Sequence, residues 1–220
     1  MTANKTANKT DNMNNSRYNQ IGCVIMASGL SSRFGNNKLL ASFRGKYMIQ
    51  HILDAAAPVF ENLIVVTRSS EVASLCEKQG VKVLLHEEPG RNNTVRLGLD
   101  ALCEIVNGDA SEAGCSDLKT CIFCPSDQPF LTRDTFKKLA DICLNEPDKI
   151  WRAAAGNRIG TPSAFPAWTF DELRNLPFKK GGGYIMHQNP EMVSHLQVDE
   201  LELVDIDTQA DYLQYQNLED

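Results

Sequence analysis

The stretch from Ala27 to Lys38 carries residue types that could bind an anion. It reads Ala-Ser-Gly-Leu-Ser-Ser-Arg-Phe-Gly-Asn-Asn-Lys and follows a short apolar run, which predicts a loop leaving a strand. Small residues let backbone N–H groups approach phosphate oxygens, while Arg33 offers a planar fork and Lys38 a point charge. The spacing fits neither a Walker loop nor Gly-x-Gly-x-x-Gly. A solvated loop between a strand and a helix would have the same composition.

Acidic residues stand at two other positions where chemistry is expected. Asp127 closely follows the apolar run 120–124, at the predicted carboxyl end of a buried strand. A carboxylate at that edge of a sheet could hold Mg²⁺ that bridges nucleotide phosphates, although a turn-forming Asp before a proline would look alike. Alternation along a predicted strand over 201–206 places Asp205 and Asp207 on one face. One of these two could instead cap the final helix.

The hydrophobic pattern predicts the scaffold that must position these residues. Short β-branched runs alternate with longer helical patterns, which is typical of a parallel sheet with crossover helices. We therefore predict a three-layer α/β/α sandwich with a Rossmann-like, mostly parallel sheet. Strands are predicted over 21–27, 62–67, 81–86, 120–124, 149–155, 192–198 and 201–206. Helices are predicted over 46–57, 70–79, 94–106, 133–145 and 168–176. A short helix is predicted just after the triple glycine, and a last helix from 208. No regular element is assigned to 156–167.

Length and composition indicate a single globular domain. The 220 residues are 42% hydrophobic and 23% charged, which excludes a collagenous, mucin-like or wholly disordered chain. Residues 1–19 are predicted to be a disordered lead-in and residues 20–218 one domain. A net charge of −6 excludes nucleic-acid binding by bulk charge. Because no apolar run approaches about 18 residues and no signal-peptide pattern is present, we expect a cytoplasmic protein without a membrane partner.

Cysteines and histidines form no familiar reactive pattern. The seven cysteines are expected to be reduced, buried thiols, because a chain of this size needs no disulfides for stability. Cys121 and Cys124 would face opposite sides of a strand, which favours core thiols over a metal site. The four histidines lack metal-binding spacing and are interpreted as packing or surface residues. The absence of Gly-x-Ser-x-Gly excludes the common serine-hydrolase class.

Four segments in order resemble the nucleotidyltransferases of the molybdenum cofactor cytidylyltransferase type, within the MobA-like NTP transferase superfamily. They read A-S-G-L-S-S-R-F-G-N-N-K-L-L, S-D-Q-P-F-L-T, G-T-P-S-A-F-P and V-D-I-D-T-Q-A-D-Y, and the resemblance extends over residues 21–215. Such enzymes activate a phosphorylated substrate with a nucleoside triphosphate and release pyrophosphate. The resemblance therefore implies an enzyme with the nucleotide-diphospho-sugar transferase fold. Its nucleotide-binding part would extend over about 20–155 and its acceptor-binding part over 156–218.

The resemblance also implies roles for individual residues. Arg33, Lys38 and Asp127 would be catalytic, and Asp127 and Asp207 would hold Mg²⁺ or Mn²⁺ with Asp205 beside them. The nucleotide-binding set would be Ala27, Ser28, Gly29, Ser31, Arg33, Lys38, Asn93 and Thr94. The acceptor-binding set would be Gln128, Pro162, Gly181, Gly182 and Gly183. The glycines belong to the segment 179–184, whose two lysines suit a phosphate at a helix N-terminus but could equally form an exposed basic loop.

The same resemblance bears on the base and on the acceptor. Relatives that use CTP tend to carry Ala-Ala-Gly after the first strand, and those that use GTP carry Ala-Gly-Gly. Here Ser28 has a Cβ atom and Asp127 lies in the cytidylyl-type Asp-Gln-Pro. The expected substrates are therefore CTP and molybdopterin, and a molybdenum hydroxylase would be the downstream partner.

Three alternatives stay open. One is a guanylyltransferase that uses GTP. Another is methylerythritol-phosphate cytidylyltransferase, which the stretch Arg91-x-x-Thr94-Val resembles, although the Asp-Ala-Ala-Arg-Pro metal motif of that enzyme is missing. The third is a non-catalytic carrier that delivers the cofactor to a molybdenum hydroxylase. Retention of Arg33, Lys38 and Asp127 argues against a carrier, which would be free to lose them.

Overall fold

A computed structural model describes residues 16–29, 34, 37–107 and 115–218, in which strands and helices alternate. The strands are β1 (Ile21–Ala27), β2 (Ser42–Phe43), β3 (Lys46–Tyr47), β4 (Asn62–Thr67), β5 (Lys82–Leu85), β6 (Thr120–Pro125), β7 (Ile150–Ala155), β8 (Arg158–Pro166) and β9 (Val193–Gln197). The helices are α1 (Met48–Ala56), α2 (Ser70–Lys78), α3 (Arg91–Asn107), α4 (Arg133–Asn145), α5 (Phe170–Arg174), α6 (Gly183–Gln188) and α7 (Gln209–Gln216). The alternation predicted from the hydrophobic pattern is confirmed.

Within the described residues, seven strands form one sheet in the order β5-β4-β1-β6-β8-β7-β9. Strands β5, β4, β1 and β6 are mutually parallel, and β7 and β9 pair in parallel. Strand β8 runs antiparallel to both of its neighbours. The mostly parallel sheet therefore brings the carboxyl ends of β1, β4, β5 and β6 to one edge.

Alternation along the central strands separates two hydrophobic clusters. Cys23 and Ile25 of β1 pack in one cluster with α1, α2 and α4, while Val24 packs in the other with α3, α5 and α6. Both sets are buried because successive side chains of a strand point to opposite faces. This burial on both faces explains why β1, β4 and β6 are continuous apolar runs. The three-layer arrangement is confirmed.

Two predictions for the second half of the chain were wrong. The Gly- and Pro-containing segment 158–166 is a strand, and Pro162 lies where the β7–β8 register shifts, so no regular ladder hydrogen bond is lost. Gly156, with φ of 55°, provides the turn between these two strands. Residues Glu200–Leu203 form a 3₁₀ turn instead of a strand. The Glu202 carboxylate turns inward there and accepts hydrogen bonds from Thr132 N and Oγ1.

The cysteines divide into a bonded pair and free thiols. Cys103 of α3 is disulfide-bonded to Cys115, which corrects the expectation of reduced thiols for these two residues. The other five are free and buried, and burial raises the pKa of the Cys23, Cys76, Cys121, Cys124 and Cys143 thiols. A raised pKa keeps these thiols neutral and unreactive. Core packing of Cys121 and Cys124 is thereby confirmed.

Candidate active site

A cavity of about 510 Å³ opens at the carboxyl ends of the parallel strands. Its walls come from the loops after β1, β4 and β6, from the start of α3, and from the segments before α6 and α7. The residues that matter for its chemistry include Ser28, Lys38, Arg68, Thr94, Asp127 and Asp207. This is the edge at which an open α/β sheet binds ligands.

One end of the cavity, the carboxylate end, consists of Lys38, Asp127 and Asp207. Lys38 Nζ donates hydrogen bonds to Asp127 Oδ2 at 2.6 Å and to Asp207 Oδ1 at 2.8 Å. Lys38 is only 7% exposed, so its charge is compensated by these carboxylates and not by bulk water. Three residues separated by up to 169 positions in the chain therefore converge on one point.

Main-chain hydrogen bonds hold the two carboxylates together. The backbone N–H of Ile206 donates to the carbonyl of Asp127 at 2.9 Å, which joins the segment before α7 to the loop after β6. Asp211, in the first turn of α7, accepts from the backbone N–H groups of Asp207 and Thr208 at 3.1 and 2.7 Å. Thr208, and neither Asp205 nor Asp207, provides the N-cap of α7. The capping box therefore positions Asp207 as well as the helix.

The electrostatics of this end follow from the crowding of like and unlike charges. Desolvation alone would lower the pKa of Lys38, but the Asp127 and Asp207 carboxylates overcome it and raise the pKa. Desolvation and then the neighbouring Asp127 carboxylate raise the pKa of Asp205, against a hydrogen bond from Gln128. A concentration of negative charge is thus present even with the Lys38 ammonium in place.

A second part of the site, the hydroxyl end, consists of Ser28 and Thr94, which line the cavity, and of His86, which contacts Ser28. Ser28 Oγ donates to the carbonyl of Val66 at 3.1 Å and lies 2.8 Å from His86 Nε2. Thr94 lines the cavity from the first turn of α3 and is buried. The backbone N–H of His86 donates to the Thr67 carbonyl at 3.0 Å, which fixes the start of this loop against β4.

The predicted nucleotide-binding residues divide in the structure. Ser28, Gly29, Lys38 and Thr94 line the cavity, whereas Ala27 is a buried strand residue. The Asn93 amide instead donates to the Pro89 carbonyl. Ser31 and Arg33 lie outside the described residues.

The predicted acceptor-binding residues differ in burial and in the space around them. Gln128 is 1% exposed and accepts from Thr161 Oγ1, and Pro162 is also buried, so neither side chain presents itself to a ligand. A Cβ on Gly182 would lie 2.2 Å from Phe165 Cζ, which explains the need for glycine. Gly181 similarly packs on the Arg91 side chain, and open space surrounds a Cβ on Gly183. The segment reaches the cavity through Lys179 instead.

Sequence reasoning missed two residues that directly follow parallel strands. Arg68, after β4, lines the cavity, and its Nε is buried without a hydrogen-bond partner among the described residues. His86, after β5, was interpreted as a packing or surface residue but contacts Ser28 of the first loop. Their position at the carboxyl ends of predicted strands was the signal that could have identified them.

Two kinds of feature are absent from the described ranges. No three His, Cys, Asp or Glu side chains cluster there in a way that could hold a metal ion by themselves. In the same ranges, no helix combines the length and hydrophobicity needed to cross a bilayer.

Comparisons with known proteins match this chain to a family and to individual relatives. A family model described as the MobA-like NTP transferase domain matches residues 23–193. A probable molybdenum cofactor guanylyltransferase of Geobacillus sp. is 24% identical over 132 residues, covering 60% of this chain and 63% of that protein. A 3-deoxy-manno-octulosonate cytidylyltransferase of Francisella philomiragia is 25% identical over 128 residues, covering 58% and 48%. The matched stretches thus span less than two thirds of these relatives' lengths.

Solved structures share the fold. A Mycobacterium tuberculosis protein, determined as a complex with manganese, aligns with a TM-score of 0.69 and 23% identity. The alignment covers 90% of this chain and 98% of that one. At this level of identity, the likeness supports the architecture alone.

Proposed function

The chain belongs to the MobA-like NTP transferase family, and on that premise we propose that it transfers CMP from CTP to the terminal phosphate of molybdopterin. The observation that carries the proposal is the convergence of Lys38, Asp127 and Asp207 at one end of a cavity bounded by the first loop. Phosphoryl-group chemistry needs cations and carboxylates held together in this way, because negative charge accumulates on the leaving group.

The reaction is a direct displacement. An oxygen of the acceptor phosphate forms a bond to the α-phosphorus of CTP, the bond from that phosphorus to the bridging oxygen breaks, and pyrophosphate leaves with the electron pair. No covalent enzyme intermediate is needed. Lys38 would neutralise charge on the phosphates, while the first loop, with Ser28, Gly29, Ser31 and Arg33, would hold them in line.

The donor set of the carboxylate end fits a divalent cation. Asp127 and Asp207 already converge on one cationic group, the Lys38 ammonium. Mg²⁺ and Mn²⁺ accept one or two protein carboxylates and take their other ligands from phosphates and water, so a cluster of three protein ligands is unnecessary. When bound, the ion would neutralise phosphate charge. We assign Asp127 and Asp207 as its ligands, with Mg²⁺ the expected ion.

On the acceptor side, the segment 179–183 is proposed to contact molybdopterin. Lys179 reaches the cavity and its backbone N–H donates to Asn92 Oδ1 at 3.0 Å, which ties this segment to the start of α3. Gly181, Gly182 and Gly183 let the backbone run close to Arg91 and Phe165. Gln128 and Pro162, which are buried, would support the acceptor-binding part of the site without contacting the acceptor.

The choice of CTP over GTP is based on Ser28, whose Cβ would narrow the space available to the base. A second candidate is transfer of GMP from GTP, which the name of the Geobacillus relative favours. Methylerythritol phosphate remains an alternative acceptor through the Arg91 and Thr94 pattern. A molybdenum hydroxylase is the expected consumer of the product.

Calorimetric titration of CTP, GTP, ATP and UTP, with and without Mg²⁺, tests the proposal in the wild type and in Asp127→Asn. Selective Mg²⁺-dependent binding of CTP that is lost in the variant would support it, after which molybdopterin is supplied and pyrophosphate release is measured. Preference for GTP would favour the guanylyl reaction. Binding of no triphosphate would instead favour a carrier that delivers the cofactor without transferring a nucleotide.

A further inference from the structure

The residue before Lys38 is tied to the end of the neighbouring strand. Asn37 Oδ1 accepts from the backbone N–H of Leu39 at 3.3 Å, and Asn37 Nδ2 donates to Ser69 Oγ at 3.0 Å. The first bond caps the 3₁₀ turn Lys38–Leu40, and the second crosses to the loop between β4 and α2. Because a turn of three residues has little stability of its own, the position of Lys38 depends on the contacts at the ends of that turn.

Two partners independently fix the orientation of the Asn37 amide. The Ser69 hydroxyl donates to Glu71 Oε2 at 2.7 Å and lowers the pKa of Glu71, so this carboxylate is ionised at neutral pH and can only accept. Ser69 Oγ must then accept from Asn37, which requires the NH₂ group of the amide on that side. The Leu39 N–H requires the amide oxygen on the other side. Both requirements are met by one orientation of a side chain that carries a donor and an acceptor.

Ser69 is itself a firmly held anchor. It is the N-cap of α2, and its backbone N–H donates to Thr67 Oγ1 at 3.1 Å. The buried Thr67 hydroxyl in turn donates to the Ala27 carbonyl at the end of β1, also at 3.1 Å. Arg68, between Thr67 and Ser69, lines the cavity. The anchor therefore fixes the main chain beside two cationic side chains of the cavity, those of Lys38 and Arg68.

We propose that Asn37 is a positioning residue that holds Lys38 between the two carboxylates of the site by its hydrogen bond to Ser69. Contacts of 2.6 and 2.8 Å weaken steeply when the main chain that carries the ammonium shifts by about 1 Å. Neutralisation of charge on the departing pyrophosphate would depend on the same placement. The inference rests on the proposed function for its effect on turnover, whereas the placement of Lys38 can also be probed with Mn²⁺ alone.

The first test is calorimetric titration of Mn²⁺ into the full chain without nucleotide. Asn37→Ser keeps a hydroxyl that can cap the turn but is too short to reach Ser69. We expect this variant to bind Mn²⁺ about threefold more tightly, because a loosened ammonium competes less well for the carboxylates. Ser69→Ala removes the other partner and should have the same effect, whereas Ser69→Thr retains the hydroxyl and should bind Mn²⁺ as the wild type does.

Asn62→Ala is the matched control. The Asn62 amide donates to the Asn19 carbonyl at 2.7 Å, at the opposite end of β4 from the cavity. This variant also loses one asparagine hydrogen bond, but its affinity for Mn²⁺ should not change. Equal affinities of Asn37→Ser and the wild type, including the absence of binding in both, would overturn the inference. Should Asn37→Ser not fold, the comparison of Ser69→Ala with Ser69→Thr decides the question.

The second test is pyrophosphate release from CTP in the presence of the acceptor. Asn37→Ser should lower kcat about tenfold and change the KM for CTP by less than about threefold. In a Lys38→Met background the same substitution should lower kcat no further, because Asn37 acts through Lys38. A merely structural role would lower the melting temperature and add its effect to that of Lys38→Met, which would overturn the inference while the proposed function stands. If the wild type transfers no nucleotide, the proposed function fails and the Mn²⁺ titration alone decides the inference.

Discussion

The two ends of the cavity are built on different physical principles. At the carboxylate end, Lys38, Asp127 and Asp207 are charged groups that compensate one another at 2.6 and 2.8 Å. At the hydroxyl end, Ser28 and His86 are neutral groups joined by hydrogen bonds to each other and to the sheet. Removing a member of the first set leaves uncompensated charge, while removing a member of the second redirects a hydrogen bond.

We therefore expect the carboxylate end to affect mainly the rate of transfer and the hydroxyl end mainly the affinity for the nucleotide. Charge neutralisation changes the barrier for transfer by several kcal/mol, about 3–4 for a single strong electrostatic contact. One neutral hydrogen bond changes affinity by about 1 kcal/mol. Variants of the carboxylate end should therefore affect turnover far more than variants of the hydroxyl end.

The largest effect is expected from Asp127→Asn. Loss of this charge should reduce turnover about a thousandfold, because it removes the carboxylate that balances Lys38 and that we propose as a metal ligand. The fold should survive, since Ile206 bonds to the Asp127 main chain and not to its side chain. Pyrophosphate release and circular dichroism measure the two properties. Asp134→Asn, an exposed helix position, is the control, and near-normal turnover of Asp127→Asn would contradict the assignment of the carboxylate end.

Lys38→Met should show that lysine and metal compete for the same carboxylates. We expect turnover to fall about a hundredfold, because a phosphate-neutralising charge is lost. Affinity for Mn²⁺ without nucleotide should rise about tenfold, because the ammonium no longer lies between Asp127 and Asp207. Calorimetric titration with Mn²⁺ alone measures this effect. An unchanged or weaker affinity would mean that Lys38 does not exclude the ion.

Asp211→Ala tests the backbone support of Asp207. The Asp211 carboxylate accepts from the N–H groups of Asp207 and Thr208, so its loss should cost about 1 kcal/mol of stability and reduce turnover about tenfold. Asp211→Asn keeps one oxygen acceptor and should recover part of both. Thermal unfolding and steady-state kinetics provide the measurements. Equal kinetics for Ala and Asn would remove the positioning role.

The smallest effect is expected from Thr94→Val, which removes a hydroxyl at the hydroxyl end without changing side-chain size. Nucleotide affinity should fall about fivefold, equivalent to one hydrogen bond, and the melting temperature should hardly change. Titration calorimetry and differential scanning fluorimetry check both. A loss comparable to that of Asp127→Asn would erase the proposed difference between the two ends.

Local sequence was sufficient for the first half of the fold. The runs 21–27 and 62–67 were predicted with the boundaries that β1 and β4 have, because central parallel strands are buried on both faces and read as continuous apolar segments. The helix predicted over 133–145 has those bounds in α4, where Thr132 provides the N-cap by accepting from Thr135 N. Such signals depend on a few neighbouring residues, so they can be recognised in a single sequence without an alignment.

The second half depended on partners distant in the chain. Strand β8 contains Gly160 and Pro162, which disfavour strands, yet pairing with β6 and β7 on both sides overrides that preference. The segment 201–206 alternates like a strand, but Glu202 turns inward to Thr132, seventy positions earlier. Neither outcome could be predicted from local pattern.

The sequence by itself determined the alternating α/β order and the acidic positions 127 and 207, and it predicted an anion-binding loop after β1. Only the tertiary structure decided that Lys38 lies between those two carboxylates, that His86 contacts Ser28, and that Cys103 meets Cys115. The physical reason is the distance along the chain over which each kind of interaction acts. Hydrophobic periodicity and capping act within a few residues, whereas ion pairs and side-chain hydrogen bonds join whichever groups the sheet brings to one edge.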